Sequence, residues 1–295
     1  MVVEKIRSKV DNVTKYIFEY LDGGKFDVEF SYIDNGTNKD IICIPTQTMC
    51  NMSCSFCYLT KYVGDIKVKD INPLFISHCI DYISNDIGFH KKILLFSFMA
   101  SGEPLSTSCI RLPFLMNDLR EKYEDKNPET FRKVRFALAT ILPKNKKNYI
   151  SFVQEIIDNK LDVKLHLSTH FSDDKIREEN MPNALNLADS ISFLSFYKRF
   201  TGNEVEIHYT LIKGLNDSKF DMVRLRDLLN PVKDFVTLKF MKLKSDDKSK
   251  IIDEKGFLEM IEKTPSLQES LRKKIEYYDS VGEDIGSSCG QFFVK

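Results

Sequence analysis

Apolar residues in this 295-residue chain follow two kinds of pattern. Short continuous runs at 41–44, 93–98, 134–139, 163–168, 205–211 and 235–241 read as strands buried on both faces. Between them, apolar positions recur at helical spacing. Asn72 followed by Pro73 predicts a capped helix start, and Ile76, Ile80 and Ile83 then share a face with Cys79, which reads as a core thiol. Leu112-Pro113-Phe114 opens another helix. Residues 152–157, 184–196 and 221–229 also read as helical, and Asn230-Pro231 stops the last of them. Ahead of these, apolar runs at 16–21 and 28–33 flank Asp22-Gly23-Gly24, which predicts a β-hairpin.

Strands alternating with helices predict an α/β fold, either a parallel barrel or an open sheet of six strands. Right-handed crossovers put the helices outside, and functional loops then collect at the carboxyl ends of the strands. The expected organisation is a short N-terminal β extension over residues 1–40, then one catalytic unit over 41–295 with a C-terminal tail. No internal repeat or low-complexity linker interrupts it.

Composition adds little against this picture. Hydrophobic residues at 42% suffice for a sizeable core, and charges interrupt every apolar stretch before it reaches membrane-spanning length. The start Met1-Val2-Val3-Glu4-Lys5 lacks the apolar core of a signal peptide, so a cytoplasmic location is expected. The seven cysteines are odd in number and unevenly spread, which argues against a disulfide framework. The 43 basic and 43 acidic residues cancel, so nucleic-acid binding would need local basic patches such as Lys144/Lys146/Lys147, 239–250 or 272–274. Each of these reads first as an ordinary solvated face.

The chemistry is concentrated in Cys50-Asn51-Met52-Ser53-Cys54-Ser55-Phe56-Cys57-Tyr58, directly after the first parallel strand. Three thiolates on one short loop can hold three irons of a 4Fe–4S cluster and leave the fourth open. A zinc knuckle would want a fourth Cys or His nearby, and the nearest histidine in sequence is His78. Gly102-Glu103-Pro104 follows the next strand, where a carboxylate could accept hydrogen bonds from an ammonium group. Cys289 sits among small polar residues, as a reactive loop thiol would. Cys43 falls inside an apolar strand and, by pattern alone, reads as core. His166, His170 and His208 occupy strand positions that more often serve hydrogen bonds, so none is assigned to a metal. Cys109 has no evident role.

The CxxxCxxC spacing with a following aromatic residue resembles the radical S-adenosylmethionine (SAM) signature, and the whole set of motifs resembles the RlmN/Cfr family of radical-SAM adenine methyltransferases. Cys50, Cys54 and Cys57 match that family's cluster ligands. Cys289 in Cys-Gly-Gln matches its methyl-carrying cysteine, and Cys43 its second catalytic cysteine. Gly102 and Glu103 match the SAM-binding Gly-Glu. Leu167-Ser168-Thr169-His170 resembles a strand end that contacts SAM, which gives Ser168, Thr169 and His170 that role. Asn216, in Gly214-Leu215-Asn216-Asp217-Ser218, resembles a SAM-contacting Asn. Glu29 matches the family's proposed proton acceptor.

The resemblance implies a partial (β/α)6 barrel, a 4Fe–4S cluster and SAM. It also implies an electron donor such as flavodoxin or ferredoxin, and an adenine in RNA methylated at C2 or C8. In the implied mechanism one SAM methylates Cys289, and a second generates a radical that activates this methyl for addition to the ring. Cys43 then releases the product as a disulfide forms, with the tail folded over the barrel mouth to deliver Cys289. The family starts with a helical accessory domain that helps grip RNA, and this chain aligns from after it. On the third strand, Ala137 takes the place of a SAM-contacting Ser. Two alternatives stand beside this expectation: the same chemistry on a free nucleotide or small metabolite, and a non-catalytic iron–sulfur or zinc protein.

Overall fold

The apolar runs become strands of one ten-stranded sheet, ordered β1 to β10 as in the sequence. The computed structural model of the chain describes all residues except Met1, Asn35, 62–67, 107–110, 126–131, 146–147, 271–274 and 289–295. The hairpin expected around Gly23 forms between β2 (Val13–Leu21) and β3 (Lys25–Asp34), with Gly23 at φ +62°, where a side chain would be strained. A further edge strand, β1 (Val2–Arg7), pairs with β2. β3 then pairs antiparallel with β4 (Lys39–Cys43).

From β4 onward the neighbours run parallel: β5 (Ile93–Phe98), β6 (Lys133–Thr140), β7 (Val163–Ser168), β8 (Val205–Leu211), β9 (Val236–Lys242) and β10 (Glu276–Tyr278). The six expected strands are present, and β10 adds a seventh to the parallel part. Between and after these strands lie α1 (Pro73–Ile87), α2 (Leu112–Tyr123), α3 (Tyr149–Asp158), α4 (Asp174–Asn180), α5 (Leu187–Thr201), α6 (Lys219–Leu229), α7 (Glu254–Glu262) and α8 (Pro265–Ser270). The Asn72 side chain accepts the Leu74 N–H at 2.9 Å and so caps α1, while Cys79 is buried in the core as expected.

Alternate strand residues divide the two faces of the sheet. Ile42, Phe96, Leu138, Leu165, Ile207 and Phe240 are fully buried in the main apolar core. Intervening positions line the hollow of the curved sheet, among them Cys43, Ser97, Ala137, Lys164, His166, His208 and Lys239 alongside Ile41, Leu95 and Met241. That hollow holds the chemistry.

The sheet stays open, with β1 and β10 as its edges. The segment after β10 laces them together through polar contacts. Lys244 donates to Asp279 at 2.6 Å and to Glu283 at 2.7 Å. Asp284 accepts from the Ser8 hydroxyl at 2.7 Å and the Lys9 N–H at 2.9 Å, and the Gly282 N–H donates to Asp11 at 2.7 Å. Among the described residues, no helix is long and apolar enough to cross a membrane.

Candidate active site

The loop after β4 places Cys50, Cys54 and Cys57 around a cavity of about 200 Å³ at the carboxyl ends of the parallel strands. A small apolar cluster of Cys54, Ile141, Phe171, Met181, Ile212 and Leu243 pins this loop to the ends of β6, β8 and β9, with Phe56 packed on it edge-on to His170. Hydrogen bonds add to the grip. Ser55 donates its N–H to the Asn180 carbonyl at 2.9 Å, and its hydroxyl to the Asn180 side chain.

The three thiols share the cavity, yet their sulfurs do not all lie within 4.8 Å of one another. That spacing is too wide for a single tetrahedral ion, whose thiolates sit about 2.3 Å from the metal. It suits a cluster, in which each thiolate takes a different iron. Burial pushes the Cys50 thiol up to about 12 and those of Cys54 and Cys57 upward as well. Thiols so placed ionise on binding a metal rather than by themselves. The donor set therefore fits a 4Fe–4S cluster held by Cys50, Cys54 and Cys57.

Gly102 and Glu103 lie on the opposite wall. Gly102 has φ +103°, and a Cβ there would come within 2.6 Å of Thr46 Oγ1 and 2.8 Å of the Gln47 backbone nitrogen. Gly102→Ala is therefore expected to cost about 1–3 kcal/mol of stability, read by thermal melting. Glu103 is buried, and its carboxylate accepts from the Leu105 N–H at 2.9 Å, the Ile141 N–H at 3.0 Å and the Thr140 hydroxyl. Burial raises its pKa to about 7 against the pull of these neutral donors. A cationic group arriving beside it would favour the carboxylate form.

The other residues carried by resemblance divide. Ser168 and His170 line this cavity with Glu103; Thr169 and Asn216 do not. His170 adopts φ +57°, and its Nδ1 accepts the Thr210 N–H at 2.9 Å. Asn216 spends its side chain on backbone: it accepts from Ile212 at 2.7 Å and donates to the carbonyls of His170 at 2.6 Å and Thr210 at 2.8 Å. It clamps the ends of β7 and β8 together. Arg177, to which the sequence pattern gave no role, is buried and donates to the carbonyls of Ile141, Ser168, Thr169 and Leu185, bracing the same strand ends.

A second cavity, about 390 Å³, lies deeper in the hollow and shares Met99, His208 and Met241 with the first. Cys43 lines it, so the strand thiol faces this chamber rather than the helix-side core. Ser287 lines it too, and Ser288 is buried with its hydroxyl donating to the Val281 carbonyl at 2.8 Å. Cys289 and Cys109 lie outside the described residues, as do Lys146, Lys147 and 272–274 of the basic patches. The described tail runs along the seam between the sheet edges. Ala137 also lines this deeper cavity; on β6 it is Ala139 that reaches the cysteine cavity.

Glu29 shares a face of β3 with Ser31, which pairs with Cys43, and with Ile33, which lines the deeper cavity. Its carboxylate is buried 2.8 Å from the ammonium of Lys15. Burial raises its pKa to about 7, and Lys15 opposes the rise.

No family model matches the chain. It is 28% identical over 298 residues to "Probable dual-specificity RNA methyltransferase RlmN" of Clostridium acetobutylicum, covering 98% of this chain and 78% of that protein. The protein of the same name in Clostridioides difficile is 28% identical over 294 residues, covering 97% and 78%. The chain is a relative of the RlmN/Cfr methyltransferases. The structural comparisons agree in fold. A radical SAM methyltransferase from Sphaerobacter thermophilus superposes with a TM-score of 0.74 at 18% identity, over 99% of this chain and 80% of that one. Streptococcus suis SuiB bound to S-adenosylmethionine gives 0.52 at 15% identity, over 80% and 45%. The radical-SAM partial barrel expected of an RlmN/Cfr relative is the fold of this chain, extended by the β1–β3 meander.

Proposed function

We propose that this chain is a methyltransferase that places a methyl group on C2 or C8 of an adenine in RNA, through a thiol relay between Cys289 and Cys43. The observation that supports it most is the meeting of Cys43 and Ser287 in one cavity that shares a wall with the cysteine-lined cavity. Ser287 is only two residues from Cys289, so the chain leading to that thiol reaches the cavity that Cys43 lines. The RNA named in the curated relatives supports the substrate class.

In this reading Cys50, Cys54 and Cys57 hold the cluster, and Gly102 lets backbone approach SAM closely. Glu103 accepts from its ammonium, with Ser168 and His170 on the adjoining wall; Thr169 and Asn216 support that wall from behind. When bound, SAM supplies the methyl group and, with an electron from the cluster, the power to remove a hydrogen atom. A small electron carrier such as flavodoxin or ferredoxin supplies that electron. Cys289 carries the methyl carbon as a thioether. Once that carbon is bonded to the ring, the odd electron left by the addition would return to the iron–sulfur group that Cys50, Cys54 and Cys57 hold, and Glu29 accepts the ring proton. The Cys43 thiolate attacks the Cys289 sulfur, an S–S bond forms, the C–S bond breaks, and its electron pair leaves with the product carbon, which takes up a proton to become the methyl group. An external thiol reductant then restores the two thiols.

The test is anaerobic incubation with labelled SAM, a reductant, total RNA and free nucleotides. Label in RNA adenine together with a methyl group on the Cys289 peptide supports the proposal. Label confined to nucleotides moves the substrate to a small molecule, and no label with no SAM cleavage leaves an iron–sulfur binding protein.

Glu29 adds a pH dependence. A base works when ionised, so ring-proton loss should rise with pH through about 7 and level off above it. Glu29→Gln should lower single-turnover proton loss by about 10²–10⁴-fold and erase this acid limb. A variant that keeps the limb would assign the proton to another group.

A further inference from the structure

Inside the hollow, three buried side chains of two adjacent strands bring their ligand atoms into a triangle. His166 Nδ1 on β7 lies 3.1 Å from Glu206 Oε1 and 3.0 Å from His208 Nε2, both on β8; His208 Nε2 lies 2.9 Å from the same oxygen. Among the described residues, no other three His, Cys, Asp or Glu side chains gather their ligand atoms so closely.

Protons do not satisfy this triangle. Should both rings donate to Oε1, their N–H groups confront one another at 3.0 Å. Should one ring donate to the other, the receiving nitrogen has no hydrogen to offer the carboxylate 2.9 or 3.1 Å away. One edge is repulsive in either arrangement, and His166 Nε2 has no hydrogen-bond partner among the described residues. A cation removes the conflict, because all three atoms then present lone pairs to it. A six-coordinate ion with ligands at about 2.1 Å sets neighbouring donors about 3.0 Å apart, the edge length seen here. Two imidazoles and a carboxylate on one face form a known donor set for such ions.

We propose that His166, Glu206 and His208 form a binding site for a divalent first-row transition-metal ion, separate from the iron–sulfur cluster. Two lysines shape it. Lys164 holds the second carboxylate oxygen at 2.6 Å, which leaves Oε1 to the rings. Lys239 lies 3.2 Å from Oε1 and must give way when the ion enters; Glu276, 4.0 Å from its ammonium, offers it another partner. His208 lines both cavities and His166 the deeper one, so the ion belongs in the wall between the cluster chamber and the Cys43 chamber. Its remaining coordination positions take water or an oxygen or nitrogen donor of a substrate. The site stands on this geometry and not on the thiol relay.

The test titrates cobalt(II) into the cluster-loaded full chain without oxygen, counts metals after desalting and records the visible spectrum. One cobalt per chain is expected, with the weak bands of six-coordinate nitrogen/oxygen ligation and no thiolate charge-transfer band. His166→Ala, His208→Ala and Glu206→Gln should each weaken cobalt binding by about 10–100-fold while cluster iron and sulfide stay unchanged. Lys239→Met, which removes the competing cation and keeps all three ligands, should bind cobalt more tightly. The chain with Cys50→Ala, Cys54→Ala and Cys57→Ala should lose its iron and keep its cobalt. The proposal is overturned if wild type retains no cobalt, if the spectrum shows thiolate ligation, or if the His and Glu variants bind as well as wild type. It is equally overturned if Lys239→Met binds no more tightly, or if cobalt disappears with the cluster cysteines.

Discussion

Cys43→Ala is expected to stop the reaction midway and leave RNA covalently attached to the protein through Cys289. The expectation follows from the position of the thiol. Cys43 is nearly buried, faces the deeper cavity and lies across from Ser31 and beside Ser97, neither of which is a comparable nucleophile. Without it, the thioether joining Cys289 to the ring carbon has no thiolate to attack its sulfur. Multiple turnover should fall on the order of 10³-fold, while one equivalent of SAM-derived methyl still reaches RNA. Losing a single sulfur atom costs the fold only about 1 kcal/mol, so misfolding does not explain the loss. The adduct is read on a denaturing gel and, after nuclease digestion, by the mass of the Cys289 peptide. Normal turnover by Cys43→Ala would sink the relay.

Replacing any one of Cys50, Cys54 or Cys57 by alanine should have the other large effect: loss of cluster iron and sulfide, of visible absorption, and of all SAM cleavage. Burial leaves these thiols costly to ionise unless metal takes the charge. Removing one ligand leaves two thiolates for a cluster that needs three. Cys54 belongs to the apolar cluster with Ile141, Phe171 and Met181, so Cys54→Ala also loosens the loop. Cys50 and Cys57 are less buried and provide the cleaner comparison. Iron analysis of anaerobically purified variants decides the point, and a variant with its full iron complement would remove that cysteine from the ligand set.

Much of this architecture was legible because it rests on burial. Strands β5 to β9 bury one face in the helix-side core, and β5 and β9 also carry apolar residues such as Leu95 and Met241 into the hollow, so their runs stand out in the sequence. The cysteine loop was legible through spacing alone. β1 reads Val-Val-Glu-Lys-Ile-Arg and is mostly exposed, and β10 is only Glu-Tyr-Tyr; neither carries enough apolar periodicity to be recognised. α4 was missed for a similar reason: Asp-Lys-Ile-Arg-Glu-Glu-Asn looks like a solvated turn, and its one fully buried side chain is a charged one, Arg177. The sequence does place His166 among apolar neighbours, and Glu206 two positions before His208. It does not reveal that β7 and β8 align them side by side, because that depends on strand register. The chamber shared by Cys43 and Ser287 was hidden for the same reason, since it joins residues from opposite ends of the chain.

A barrel closed all round by backbone pairing admits only what fits through its ends. Here the last closure, between β1 and β10, is made by Gly282 and Asp284 with the Ser8–Asp11 turn, while Lys244 ties Asp279 and Glu283 to the segment after β9. Parting it breaks loop hydrogen bonds while the sheet ladder stays whole. Along this seam the chamber wall is thus held by a few short side-chain and loop contacts, with Lys244 buried among them, and not by a strand ladder.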